Sequence, residues 1–333
     1  MKPKSINTIM VAALLAPGAL FAQTTAKTGP VGYETIALTS GFNYVGLRLH
    51  QPTLAAGALD VVSAGSITDN DVNIGALVSP GKTYIVEVKT TSPADSGAVA
   101  EVLGSAITNG VITTSNNLTA VGAAVGDTYV VRQSATIESV FGASNSAGLT
   151  AGYGSSVGAD VVYVPNGSGG FASYYYDGDD SVWKTTAGNT VTAADVPLVY
   201  LDAILLYAAS AKNLVVSGEV VRQSVIQVVS QGFNYIGGIH PAGATLNSSF
   251  GSNVATILTA GYGSSVGADV VYVPNGLGGF NSYYYDGDDS VWKTTGGVTT
   301  DPTTVNITPG LLFFRAGLAA NIKNATPSYY SSL

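Results

Sequence analysis

The chain has 333 residues, 46% of them hydrophobic and 10% charged, which is enough apolar material for a sizeable core and too little charge for a disordered acidic tail. Its 41 Gly, 13 Pro and 19 Tyr favour a turn-rich β protein over a helical bundle, because aromatic side chains suit a pleated surface that Gly and Pro punctuate. A net charge of −8 with no Lys/Arg run removes nucleic acid as a partner, zero Cys excludes disulfides, thiolate metal sites and thiol catalysis, and two His leave little for imidazole chemistry.

Lys2 and Lys4 precede the apolar stretch Ile9 to Phe21, which ends at Ala22, the layout of a secretory signal peptide. Residues 1–22 are expected to be removed, so that the mature protein starts at Gln23. The stretch is shorter than the roughly 20 residues that span a bilayer as a helix, and no transmembrane segment is expected in the mature chain. Short β-rich runs bounded by turn residues predict strands at 31–38, 42–49, 82–90, 98–103, 106–113, 128–133, 160–165, 171–176, 181–186, 198–207, 213–221, 224–229 and 233–239. Further strands are expected at 269–274, 280–285, 290–295 and 310–316, with short helical turns at 136–141 and 253–258. Tyr84, Val86 and Val88 alternate with Glu87 and Lys89, which predicts one face in solvent. The run from Leu198 to Tyr207 is apolar almost throughout and reads as a strand buried on both faces.

A duplication organises these elements. Leu149 to Thr186 recurs as Leu258 to Thr295, the copies differing only at Ser168/Leu277 and Ala172/Asn281. Gly41 to Gly46 (GFNYVG) returns as Gly232 to Gly237 (GFNYIG), and Val131-Arg132-Gln133-Ser134 returns as Val221-Arg222-Gln223-Ser224. The expected fold is all-β with low helix content, in two related β-sandwich-like modules at 23–222 and 223–333, the first enlarged by an extra block at about 54–127.

The ordered motifs GFNYVGLRLHQP, KTYIVEV, VGDTYVVRQSATIESVFG, the twice-occurring ADVVYVPNG segment with its Tyr run and Trp, and the ending PSYYSSL resemble a family of secreted, repeat-containing proteins from Verrucomicrobia-type bacteria. The resemblance covers essentially the whole mature chain. It implies an exported envelope or surface protein and adds no catalytic residues. The acidic link between the Tyr run and Trp, and the apolar Leu205-Leu206-Tyr207, depart from the family pattern.

Gly154 to Gly158 and Gly263 to Gly267 spell G-x-S-x-G, but a nucleophile elbow needs a strand before and a helix after the Ser. The residues that follow read as a strand, so Ser156 and Ser265 are not assigned a catalytic role. Asp177, Asp179 and Asp180, with Asp286, Asp288 and Asp289, gather carboxylates as a calcium loop does. They lack the later Glu of such loops, and the competing reading is a hairpin tip at which Asp-Gly supplies positive φ. With a register that pairs Tyr174 with Trp183 and Tyr176 with Ser181, Tyr174, Tyr176 and Trp183 share one strand face, as do Tyr283, Tyr285 and Trp292. These sets are either core or a platform that stacks on sugar rings. His50 and His240 read as partly exposed turn residues. The functional expectation is an exported, non-enzymatic structural or interaction protein of the envelope or extracellular space, self-assembling or partnered with other envelope proteins and without a required cofactor. A carbohydrate-binding protein using the Tyr/Trp hairpins is the alternative.

Overall fold

In the computed structural model, which describes residues 30–326 except 95, 167–168, 199–200, 239–244, 251–253, 278, 308–309 and 325, the β-branched and aromatic runs form six sheets whose strands all pair antiparallel. Among the described residues the α-helices are three turns of four or five residues. The expected all-β fold is present.

The first module is a sandwich. A five-stranded sheet runs in the order Val182–Thr185, Phe171–Asp177, Val161–Pro165, Ala203–Ala208, Gly41–Gly46. It packs on a three-stranded sheet of Val31–Leu38, Lys212–Val220 and Leu49–His50. Val45, Val162, Trp183, Ile204 and Leu206 from one layer meet Ile36, Leu38, Leu214 and Val216 from the other. The predicted strand 42–49 is two strands, because the chain breaks after Gly46 and crosses to the opposite sheet at Leu49. The second module repeats the plan with Val291–Thr294, Phe280–Asp286, Val270–Pro274, Leu311–Arg315 and Gly232–Ile236, opposed by Val225–Val229 and Ala320–Asn324.

The extra block is a third sandwich with its own core. One sheet holds Thr53–Ala58, Thr128–Gln133, Thr83–Lys89 and Ala98–Leu103, the other Val61–Val62, Ser66–Thr68, Val111–Thr113 and Ile107–Thr108. Ile67, Ile74, Val86, Ile112 and Val131 fill the space between them. The predicted strand 106–113 is a hairpin: Asn109 adopts φ 53° and Asn109-Gly110 forms the tip, the dipeptide that best satisfies a primed turn. Glu87, expected in solvent, is buried at the junction with the first module, where it accepts from Arg132 Nε at 3.2 Å. Arg132 also donates to Glu219 at 2.9 Å, so the inward charges are paired.

The repeat extends further upstream than the near-identical segment. Thr136 and Ser139 close a capping box on the helix Ile137–Phe141, and Thr245 and Ser248 exchange the same bonds at Leu246–Phe250. No helix among the described residues is long and apolar enough to cross a membrane.

Candidate functional site

The hairpin between Phe171–Asp177 and Val182–Thr185 pairs Tyr176 with Trp183 and Tyr174 with Thr185, two residues away from the expected register. A shift of two leaves every side chain on its face, so Tyr174, Tyr176 and Trp183 do share one. That face is the interior. Trp183 is 1% exposed, lies against Phe141 and Tyr176, and donates its indole N–H to the Gly142 carbonyl at 2.9 Å. Tyr174 and Tyr176 pack against the same core. In the second copy Trp292 is 4% exposed against Phe250 and Tyr285, with Tyr283 beside them. The hairpin rings complete the two cores and leave no platform for sugars.

The acidic tips are tied up internally. Asp177 is fully buried; its carboxylate accepts from Lys184 Nζ at 3.0 Å, from the Tyr175 hydroxyl at 3.3 Å and from the Asp179 N–H at 2.9 Å. Lys184 also binds Asp180. The Lys184 ammonium, helped by the backbone N–H groups, outweighs burial and holds the Asp177 carboxyl down at about 2. At Asp286 burial pushes the carboxyl up, but Lys293 and the Asp288 and Asp289 N–H groups bring it below its ordinary value. Among the described residues the trio of carboxylates that converges is Asp60, Asp69 and Asp71, away from both tips, and Asp69 there accepts from the Tyr129 hydroxyl and two backbone N–H groups. The expected positive φ sits at Ser181 and Ser290, not at the Gly of Asp-Gly. Gly178 leaves room for the largely exposed Tyr153 ring, from which a Cβ would lie 2.8 Å.

The G-x-S-x-G segment is a loop between Leu149 and Val161, with no helix after the Ser. It folds over the outer face of the hairpin, where Gly152 packs on the Tyr175 ring and pairs with Asp177. His50, expected at a partly exposed turn, is buried 3.7 Å from Glu87 because the extra block covers it. His240 lies outside the described residues.

Sequence reasoning missed the outward face of the two five-stranded sheets. Leu205 and Tyr207, read as part of a strand buried on both faces, point outward there, where the loop from Leu149 to Val161 covers only the hairpin end of the sheet. Tyr207 touches Phe42, and the ring contacts then continue through Tyr163, Phe171, Tyr235, Tyr44, Phe280, Tyr272 and Phe233 to Phe314. Successive centroids lie 4.9 to 6.2 Å apart. The path reads the same from either end: Phe42 and Tyr44 correspond to Phe233 and Tyr235, Tyr163 and Phe171 to Tyr272 and Phe280. At its centre the equivalent rings Tyr44 and Tyr235 stack on each other at an interplanar angle of 15°. The two modules are therefore joined across a local pseudo-dyad.

This arrangement leaves apolar surface in water. Phe42 is 55%, Phe233 59% and Phe280 39% exposed, and edge-to-face contacts between such rings hold them in fixed orientations. The signal for this face was in the sequence, as the aromatic residues at alternate positions of the repeated GFNY segment and the Tyr and Phe at the two ends of the repeated YVPNG-to-GGF segment. Which strands adjoin, and hence that these rings form one path, is decided by long-range pairing. Comparison with protein families, with curated proteins and with solved structures found no match for this chain.

Proposed function

We propose that this chain is an exported, non-enzymatic interaction protein of the cell envelope or extracellular surface, and that it acts through the aromatic path on the outer face of its two five-stranded sheets. The observation that carries the reading is the path itself, ten rings in mutual contact of which several stand more than a third exposed. Exposed apolar area of this continuity marks interaction surfaces, and aromatic side chains dominate the energetics of such surfaces. Export rests on the charged and apolar layout of residues 1–22 and on the family resemblance. The non-enzymatic part rests on the lack of a nucleophile elbow and on a chain with two His and no Cys.

The test is retention of the purified protein, residues 23–333, on envelopes of the source cell, comparing wild type with Phe42→Ser/Phe233→Ser. Both residues are exposed, so the variant is expected to keep its melting temperature within a few degrees and to lose most of its retention. Equal retention by a folded variant would refute the assignment of this face. Light scattering on the same samples reads self-assembly, which the variant should lose if the partner is another copy.

A further inference from the structure

Where the two modules meet, the aromatic path runs along a cleft of about 410 Å³ between the Phe42 rim of the first module and the turn after Pro274 in the second, within the roughly 300–1,000 Å³ typical of small-ligand sites. We propose that this cleft binds an uncharged glycan chain, with sugar rings stacked on Phe42, Tyr44 and Phe280. The proposal rests on the reading of the aromatic face as the working surface and names its ligand class.

Three features select that class. Among the described residues, none that lines the cleft carries a charge, although the chain has a net charge of −8; a charged ligand would be desolvated there without a partner. Phe42 and Phe280 stand half in water with Tyr44 packed edge-on to Phe280 at 5.5 Å. The exposed faces of Phe42 and Phe280 are flat apolar surfaces of the kind that stack on the apolar face of a sugar ring, beside the aliphatic Ile36, Leu38 and Leu205 that also line the cleft. Finally, the rim is polar without being ionic. The Tyr44 phenol and the Thr39 hydroxyl line the cleft; the phenol can donate and accept, and the Thr39 oxygen, which donates its proton to Asn43 Oδ1 at 3.2 Å, keeps its acceptor capacity for a ligand hydroxyl. Burial and the neighbouring Tyr235 raise the Tyr44 phenol above its ordinary value, which keeps its proton in place as a donor.

The experiment is pull-down and affinity electrophoresis of residues 23–333 on neutral polysaccharides (cellulose, xylan, mannan, β-1,3-glucan, starch), with alginate and chitosan as anionic and cationic controls. Phe42→Ala/Phe280→Ala removes two rings from the cleft, and Val157→Ala/Val266→Ala, at positions 87% exposed in both copies and outside the aromatic path, serves as the control. Near-ultraviolet circular dichroism and melting temperature check that both remain folded. The expected result is retention on at least one neutral polysaccharide and on neither charged one, at least tenfold weaker in Phe42→Ala/Phe280→Ala and within threefold of wild type in Val157→Ala/Val266→Ala. No neutral polysaccharide bound, equal binding by the cleft variant, or equal binding to alginate would overturn it. So would a wild-type dimer that the cleft variant dissolves, since the occupant would then be a second copy. If retention on envelopes depends on Phe42 and Phe233 while no neutral glycan binds, the glycan class fails and the working surface stands; if neither depends on the rings, both fail.

Discussion

Trp183 and Phe42 show how burial separates two aromatic residues that composition treats alike. Trp183 fills the space between the sheets and the Ile137–Phe141 helix, and its one polar atom is satisfied by Gly142. Trp183→Ala is expected to destabilise by about 3–5 kcal/mol, the range for emptying a large buried aromatic site. Phe42→Ala, at an exposed position, should stay within about 1 kcal/mol. Chemical denaturation of both variants checks this, and a Trp183→Ala cost below that of Phe42→Ala would contradict the burial assignment. The alternation of the hairpin sequence was enough to put Tyr174, Tyr176 and Trp183 on one face. It could not say which face was inward, because that depends on the opposing sheet, whose strands come from residues 31–38 and 212–220, far away in the chain.

At the scale of elements, the hairpins owe their register to the Asp-Gly-Asp-Asp-Ser tip. The loop runs from Gly178 to Ser181, closed by positive φ at Ser181, and Asp177 folds its carboxylate back onto the N–H groups of Asp179 and Asp180. Asp-Gly in the sequence announced a turn, yet it misplaced the left-handed residue, since Gly178 answers to the Tyr153 ring instead. Lys184 and Lys293 neutralise the buried Asp177 and Asp286. A carboxyl whose folded-state value lies below its unfolded one stabilises the fold above about pH 4 and loses that contribution as pH falls toward the folded value, here about 2 for Asp177. Lys184→Met/Lys293→Met should therefore melt lower than wild type at pH 7 and show a shallower further loss between pH 4 and 2. Parallel slopes for the two proteins in a melting series across that window would sink the assignment. With ammonium groups already on these carboxylates, millimolar calcium is expected to leave the melting temperature unchanged, which differential scanning fluorimetry with calcium and with EDTA decides.

Across the whole molecule, the duplication predicted two modules and an extra block, but not how they join. Asp202 of the first module accepts from the Gln227 amide of the second at 3.0 Å, and Glu101 of the extra block lies near. Burial, with the Glu101 charge adding to it and Gln227 opposing, pushes the Asp202 carboxyl up to about 6. Between about pH 4 and 6 the folded state then holds this proton more tightly than the unfolded chain, so the contribution is full below pH 4 and is lost as pH rises through 6. The expected loss is on the order of 3 kcal/mol. Asp202→Asn should be more stable than wild type above pH 6 and lack this part of the pH dependence, as urea titrations at pH 5 and pH 7.5 would report.

The joint itself depends on absent side chains. Gly237, the last residue of the repeated GFNYIG segment, sits where a Cβ would lie 2.9 Å from both the Asp202 carbonyl and the Cα of Gly46, its own counterpart. Its N–H donates to Leu201 at 2.9 Å, and Ile236 pairs with Asp202 beside it. The approach of two backbones across the dyad is what lets Tyr44 reach Tyr235, and with it what makes two separate aromatic patches one path. Because the obstructing atoms are backbone on both sides, Gly237→Val cannot be absorbed by a rotamer change, and relief has to come from separating the modules. Each module keeps its own core, so the variant is expected to fold. It should show a larger radius of gyration by small-angle scattering and two thermal transitions where wild type has fewer, and the Tyr44–Tyr235 contact should be lost. An unchanged scattering profile with a single lowered transition would mean that the strain is taken up inside one module and that the joint is not the weak point. In the separated form Phe42→Ser and Phe233→Ser should act independently on envelope retention, whereas in wild type a continuous path predicts that the two losses exceed their sum.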